Sequence, residues 1–505
     1  MSGKMTNFRW AICALLFVAT TVNYLDRQVL SLTWDEFIKP EFHWNDEIYG
    51  NITGVFSLFY AICMLFAGRF IDWMGTKKGF LWAIGVWSVG ACMHALCGLV
   101  TESWVGLHSA AELAGAAGDV AVMIATVSMY CFLAARCVLA LGESGNFPAA
   151  IRVTAEYFPK KDRAFATSIF NAGASVGALA APLTIPNLAK AYGWEWAFVI
   201  IGALGFLWMA FWVFLYNTPQ KSRFVNAAEV EYIEQDKLTE VVPADEKAEK
   251  KIPFARCFSF RQTWAFAFGK FMTDGVWWFF LFWTPSYLYS QFQIKTTEGL
   301  GQWLIFTLYA ITTVLSIYGG KLPTLFINRT GVNPYAARMR AMLIFAFFPL
   351  CVLFAQPLGF YFTDSLGRNA AWISVILISL GCAAHQSWSA NIFSTIGDMF
   401  PKTAIASITG IGGMAGGFGS LIMQKSAGNL FKYASGSTLA EGKEVEMTKE
   451  LLEQGAVYLR DPMHFLGFDG KPAGYFIIFC VCAFAYLIGW IVMKSLVPKY
   501  KPISA

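Results

Sequence analysis

Two pairs of opposite charges stand inside apolar stretches of this chain. Asp26 and Arg27 close the segment Asn23-Tyr24-Leu25-Asp26-Arg27, and Arg136 and Glu143 lie within the run from 120 to 151. A charge at the centre of a bilayer is costly, so such residues are rare and face a cavity or a partner. The planar guanidinium of an arginine can hold both oxygens of a carboxylate. A buried acid beside it titrates in a useful range, because desolvation and the neighbouring cation act on it in opposite senses. Together they can couple proton uptake to anion binding, since protonating the acid frees the arginine. On a helix Tyr24 and Arg27 share a face, Asp26 points about 100° away from Arg27, and Arg136 and Glu143 lie two turns apart on one face. The structural alternative is that Arg27–Glu143 or Arg136–Asp26 are fixed salt bridges between helices.

Further candidates lie along the chain. Lys270 and Asp274 are four apart, so they either serve a ligand or neutralise each other within one helix. His385, Gln386, Trp388 and Asn391 recur at helical spacing, and for His385 a hydrogen-bonded packing role stands beside a ligand contact. The stretch Gly68-Arg69-Phe70-Ile71-Asp72-Trp73-Met74-Gly75-Thr76-Lys77-Lys78 reads as a tight link between two apolar runs. In it Gly68 permits close helix approach and Gly75 precedes the basic pair. Asp72 can cap a helix or meet a base, and Lys77 and Lys78 anchor one side. The eleven cysteines show no CxxC spacing, so neither a zinc site nor a disulfide framework is indicated. No nucleophile–base constellation or nucleotide loop appears either, so we expect no enzyme, metal or cofactor.

These residues need membrane helices to position them. Of 505 residues 56% are hydrophobic and only 14% charged, against roughly 25% charged in a soluble domain. Apolar runs of about 20 residues, the length that crosses a bilayer, recur from Phe8 almost to the end. Twelve spans are expected near 9–33, 48–71, 79–100, 120–151, 164–188 and 195–216, then 262–290, 300–328, 339–360, 370–398, 404–432 and 473–494. The fourth is over-long and should project beyond Phe147-Pro148 towards Tyr157. The first resembles a signal peptide in its flank but is too long and lacks a cleavage site. The odd-numbered links hold almost no Lys or Arg. The even ones hold Arg69, Lys77 and Lys78, then Arg152, Lys160, Lys161 and Arg163, then Lys321, Arg329, Arg338 and Arg340. Short Lys/Arg-rich loops stay in the cytoplasm, which places both termini there. The net charge of +5 follows loop position and forms no nucleic-acid patch. Residues 1–216 and 262–505 thus form two six-helix halves. The charged linker 217–261 joins them, with a helix expected around Ala228–Lys237. The segment 433–471 is a long outer loop between helices eleven and twelve.

Two such halves with a charged link resemble the major facilitator transporters, in which parallel halves rock about a midplane site. The Gly68–Lys78 stretch resembles that family's signature loop, a conformational latch, and Thr324, Asn328 and Gly331 repeat its spacing in degraded form. Within the family the chain resembles the anion:cation symporters, and among them the hexuronate and galactonate permeases. The resemblance rests on Asn23–Arg27 and on Gly142-Glu143-Ser144-Gly145-Asn146-Phe147-Pro148. It continues in Glu156-Tyr157-Phe158-Pro159, Phe170-Asn171, Lys270-Phe271 with Asp274, and Trp277 through Pro285. Gly319 through Pro323, Ala384-His385-Gln386 through Asn391, Asp398 through Pro401 and Gly410 through Gly416 complete it.

The resemblance implies an all-α membrane fold and proton-coupled import of a sugar acid, a hexuronate such as galacturonate or glucuronate, by a monomer in the bacterial inner membrane. It implies that Asp26 and Glu143 are the protonation pair with Arg136 beside them, and that Arg27 contacts the substrate carboxylate. Tyr24 and Tyr60 match aromatic positions lining the galactonate pocket, and Lys270, His385, Gln386 and Asn391 are the further substrate-binding candidates. Ala174 stands where galactonate permeases place a glutamine, which favours a hexuronate. The outer segments 101–119 and 433–471 depart from the family pattern. Exchange of organic phosphates, using Arg27 and Lys270 as two free cations, is the alternative, against which Asp274 beside Lys270 argues. Drug efflux, with its often cationic substrates, fits poorly with two buried arginines.

Overall fold

The computed structural model describes residues 5–239, 252–440, 443–447, 451–452 and 455–503. Both extreme ends, residues 240–251 of the linker and parts of the outer loop lie outside the described residues. The chain is helical almost throughout. We number its principal helices α1 Arg9–Thr33, α2 Asp46–Met74, α3 Thr76–Ala95, α4 Gly118–Glu143, α5 Lys160–Tyr192 and α6 Trp194–Leu215. The series continues with α7 Arg261–Phe292, α8 Gly299–Gly320, α9 Pro334–Phe347, α10 Ala371–Met399, α11 Lys402–Ala434 and α12 Lys471–Leu496. In hydrocarbon every backbone group needs an internal partner, which is why apolar runs of this length become helices. Among the described residues eight segments are long and apolar enough to cross a membrane, and α3 with its continuation Cys97–Val105, bent by 46°, makes a ninth. The remaining long helices, α1, α7 and α11, are 25, 32 and 33 residues; α1 and α7 carry the buried charges.

Several links differ from the sequence expectation. The fourth span does run on: after a turn at Ser144–Gly145 the helix Asn146–Tyr157 continues it. The stretch 34–47, expected as a loop, is largely helical, with a π-helical turn Trp34–Ile38 and then Lys39–Phe42. Its residues Trp34, Ile38 and Phe42 are fully buried, and that burial holds the chain in helix beyond the apolar run. The ninth span is broken by a 3-10 stretch Phe348–Phe354 that follows from Pro349, whose ring removes a helical hydrogen bond. The described part of the outer loop carries a small sheet. Strand Ser437–Ala440 pairs antiparallel with Lys443–Glu446, Ser437 opposite Glu446, and with Tyr458–Arg460 on its other side.

By contacts the chain forms two compact units, Met1–Val29 with Ile62–Leu96 and Ala134–Glu249, and Leu30–Ala61 with Cys97–Leu133 and Lys250–Ala505. In the first unit α3 and α4 touch backbone to backbone. A Cβ on Gly142 would stand 2.2 Å from the Trp87 amide nitrogen, so only glycine permits this approach. The linker helix Ala227–Thr239, close to its expected place, is docked in the same unit. Its Glu229 is fully buried and accepts from the Arg9 guanidinium at 3.0 Å and from the Phe8 and Arg9 amides at 3.0 and 3.1 Å. A remote carboxylate thus satisfies the free amides at the start of α1. In the second unit the outer ends of the early helices pack on α7 and α11. Trp34 stacks on Tyr49 at 4.0 Å, Tyr49 donates to the Phe282 carbonyl at 2.9 Å, and Trp283 donates to Gln424 at 2.6 Å. Asp46 pairs with Lys471 at 2.9 Å, and Glu47 with Lys432 at 2.6 Å.

Adding one methyl group at Gly142 forces α3 and α4 apart. Gly142→Ala should lower stability by about 1–3 kcal/mol, the usual cost of overpacking, read as a lower melting temperature in detergent. An unchanged melting curve would show that the seam is not tight.

Candidate functional site: a buried arginine–glutamate pair

The α1 and α4 charges meet inside the first unit. Arg27 donates to one carboxylate oxygen of Glu143 through Nε at 3.0 Å and Nη2 at 2.7 Å. The Glu143 side chain is wholly buried and that of Arg27 is 6% exposed. Both Arg27 donors converge on Oε2, while Oε1 makes no hydrogen bond among the described residues. Arg27 therefore holds the carboxylate end-on, and its guanidinium also lies over the Tyr24 ring at 5.2 Å. The helical spacing that put Tyr24 and Arg27 on one face is what makes that contact possible.

Arg136 is equally buried and its Nη1 reaches the Arg27 carbonyl at 3.5 Å, a long hydrogen bond. It lies near enough to act electrostatically on both Asp26 and Glu143. Asp26 is buried as well, and the Trp87 indole of α3 faces its carboxylate. Two carboxyl groups and two guanidinium groups are thus buried in the first unit, and Arg27 and Glu143 form a close ion pair. Of the two fixed bridges considered from the sequence, Arg27–Glu143 is formed, and Arg136 acts on Asp26 through its charge.

The second unit holds the other candidates. Lys270 Nζ meets Asp274 Oδ2 at 2.8 Å, the in-helix pair expected from the spacing, and lies over the Phe393 ring at 4.5 Å. Gly416 of α11 leaves room for Asp274, since a Cβ there would fall 2.1 Å from its Oδ2. His385 Nδ1 shares a 2.7 Å hydrogen bond with the Tyr486 hydroxyl, and its ring stacks on Trp277 at 5.3 Å, 10° from parallel. Asn391 donates to the Ser387 carbonyl of its own helix at 2.8 Å, and Gln386 is half-buried. Tyr60 sits edge-on to Trp278 with ring centroids 6.1 Å apart.

The signature-like link is a separate cluster in the first unit. Gly75 takes φ +81, a left-handed conformation that suits glycine. Asp72 pairs with Arg152, whose Nε also meets Glu156 at 3.3 Å. Glu156 accepts from Thr76 at 2.5 Å, and Lys77 donates to Asn217 at 3.1 Å. Lys78 is exposed, and a Cβ on Gly68 would meet nothing within 4 Å. The link is thereby tied to the Asn146–Tyr157 extension and the end of α6.

Sequence reasoning missed Trp87 facing Asp26, Tyr486 on His385, and Glu229 at the start of α1. Trp87 had a usable signal, an indole in an apolar run seven residues before His94. The contact of Tyr486 with His385 crosses about a hundred residues and had none.

A family model described as Major Facilitator Superfamily matches residues 16–423. A hexuronate transporter of Escherichia coli strain K12 is 27% identical over 432 residues, covering 85% of this chain and 88% of that protein. A galacturonate transporter of Dickeya chrysanthemi is 26% identical over 66% of this chain and 87% of its own length. A D-galactonate transporter of Escherichia coli O6:H1 is 24% identical over 85% and 90%. Among solved structures, a bacterial homologue of the human lysosomal transporter Spinster, inward-facing and unoccupied, aligns with a TM-score of 0.67 at 17% identity over 98% of this chain and 99% of its own. A D-xylose–proton symporter gives 0.64 at 14% identity over 98% of both chains. These last two share the fold.

Removing one partner of a buried ion pair leaves the other charge uncompensated. Arg27→Ala should cost about 3–5 kcal/mol of stability, and Glu143→Gln added to it should restore most of that loss. Equal melting temperatures for the single and double variants would show that the two side chains do not interact.

Proposed function

Because the chain belongs to the Major Facilitator Superfamily, we propose that it is a proton-coupled importer of a sugar acid, with a hexuronate such as galacturonate or glucuronate as substrate. The observation that carries this reading is the buried Arg27–Glu143 pair. The relatives add support, since they include hexuronate, galacturonate and galactonate transporters. We place the protein in the bacterial inner membrane as a monomer with both termini cytoplasmic, as loop charge predicts.

In the resting pair Arg27 is occupied by Glu143. A proton taken up by Asp26 and passed within the compartment to Glu143 turns that carboxylate into a neutral acid and weakens its hold. The guanidinium then accepts the substrate carboxylate in its planar fork. Tyr24 packs on the same guanidinium and aligns it. Arg136 keeps the compartment electropositive, which limits how readily the two acids hold protons together. In the second unit Lys270, His385, Gln386 and Asn391, with Tyr60, are our candidates for binding the sugar hydroxyl groups; the Trp277–His385 stack gives an aromatic surface with one polar edge. The halves 1–216 and 262–505 alternate access by rocking, with the Gly68–Lys78 link as latch. Release of substrate and proton on the inner side lets Glu143 re-form the pair and resets the cycle.

Exchange of doubly charged phosphate esters requires a second free cation. Lys270 is already paired with Asp274 at 2.8 Å, so we favour a singly charged carboxylate.

In proteoliposomes, uptake of labelled galacturonate should be inhibited by glucuronate and galactonate but not by glucose. Arg27→Ala should abolish uptake while Glu143→Gln retains substrate exchange and loses pH-driven accumulation. Wild-type uptake by Arg27→Ala would remove the anchor. Unchanged accumulation by Glu143→Gln would remove that residue from coupling.

A further inference from the structure

Two buried amides adjoin the charged compartment on the same side. Asn23 lies three residues before Asp26 on α1, and Asn146 lies three after Glu143 where α4 continues past its turn. The two helices run in opposite directions, so both asparagines sit on the Lys/Arg-rich side of the carboxyl groups. Three residues separate each from its acid, a rise of about 4.5 Å along α1 for Asn23, and for Asn146 the turn at Ser144–Gly145. Each is 0% exposed, and the amide nitrogen and oxygen of both lack hydrogen-bond partners among the described residues. The Ser88 Oγ of α3, next to the indole that faces Asp26, is buried in the same condition.

Buried amides left unpaired are expensive, and native proteins satisfy them with ordered water that makes several hydrogen bonds at once. A sugar cannot reach side chains with no exposure, whereas single waters fit between helices. The structural use of an asparagine, tying one helix to another, is ruled out for both residues because neither makes such a bond. What remains is a polar seam leading from the acids towards the basic side.

We propose that Asn23 and Asn146 hold the waters through which the proton leaves the Asp26–Glu143 compartment for the cytoplasm. The proposal rests on the proton-coupled reading above. In the step, the O–H bond of the protonated acid breaks and its proton joins the first water. That water passes a different proton to the next, and the carboxylate left behind is retaken by Arg27. The asparagines are positioning residues: they orient the waters and exchange no proton themselves. The seam serves only proton release, so exchange of one substrate molecule for another, in which the proton stays on the carrier, does not use it.

The test compares two activities of the full-length protein in proteoliposomes with labelled galacturonate: net uptake driven by an inward proton gradient, and exchange against preloaded galacturonate. Asn23→Leu and Asn146→Leu remove the amide at similar volume and should slow net uptake by about tenfold, the effect of losing one well-made hydrogen bond, while exchange changes by less than about twofold. Asn23→Ser and Asn146→Ser, which can still hold water, should recover most of the loss. Net uptake retained by the leucine variants, or both activities lost together, would overturn the proposal. If the leucine variants do not fold, the wild-type protein decides: deuterated water should slow net uptake more than exchange, and equal slowing would overturn it. Wild-type uptake that ignores a protonophore would instead sink the proton-coupled reading, and the seam with it. Protonophore-sensitive uptake with unaffected leucine variants would sink the seam alone.

Discussion

A guanidinium and a carboxylate buried together form a bond that is hard to break and hard to keep. Taking both charges out of water costs more than their attraction in many proteins returns, so the pair is stable only while each partner is present and charged. Arg27 and Glu143 are in that position. A proton on Glu143 removes half of the interaction without moving the backbone. The same event leaves a buried cation whose most favourable replacement partner is another carboxylate. The rest of the first unit can be understood as maintaining this condition. Glycines bring α3 and α4 into backbone contact and exclude solvent, Tyr24 covers the guanidinium, and Arg136 supplies a second positive charge that reaches both acids.

The helix that carries Arg27 is fixed at its origin as well. Glu229 of the linker helix receives the first amides of α1 and the Arg9 guanidinium, so the linker does more than join two halves. Tyr232, three residues on, donates to Asp162 at 2.7 Å and lies under Arg9 at 4.6 Å. Rotation of α1, which would turn Asp26 and Arg27 within the compartment, must act against this anchorage. The second unit shows a comparable principle at the outer ends of the early helices, where Asp46 and Glu47 find partners on α12 and α11 and Glu36 accepts from Thr296 in the link between α7 and α8.

The charged compartment was readable in the sequence because charges in apolar runs are rare and helical spacing says which of them share a face. Tyr24, Arg27, Arg136 and Glu143 were found that way, and so was the Lys270–Asp274 pair. The fold class followed from run length, and the overhang of the fourth span from its excess. What stayed hidden depends on tertiary context. The helical turn at 34–42 is held by burial of Trp34 and Phe42 against residues far along the chain, a fact no local pattern records. The outer-loop sheet depends on pairings between short polar segments whose alternation is too brief to stand out. His385 shows a different limit: its position was marked, but the choice between ligand contact and packing depends on Tyr486 and Trp277, both distant in sequence.

The account stands on a single exchange at Arg27, in which a proton takes Glu143 away as substrate arrives. The most direct measurement is the proton balance of binding itself. Purified protein in weakly buffered detergent solution near neutral pH is mixed with galacturonate while the bulk pH is followed. The wild-type protein should take up protons in proportion to bound substrate, and Glu143→Gln should bind with little or no uptake. Saturable binding by the wild-type protein with no change in bulk pH would contradict the account.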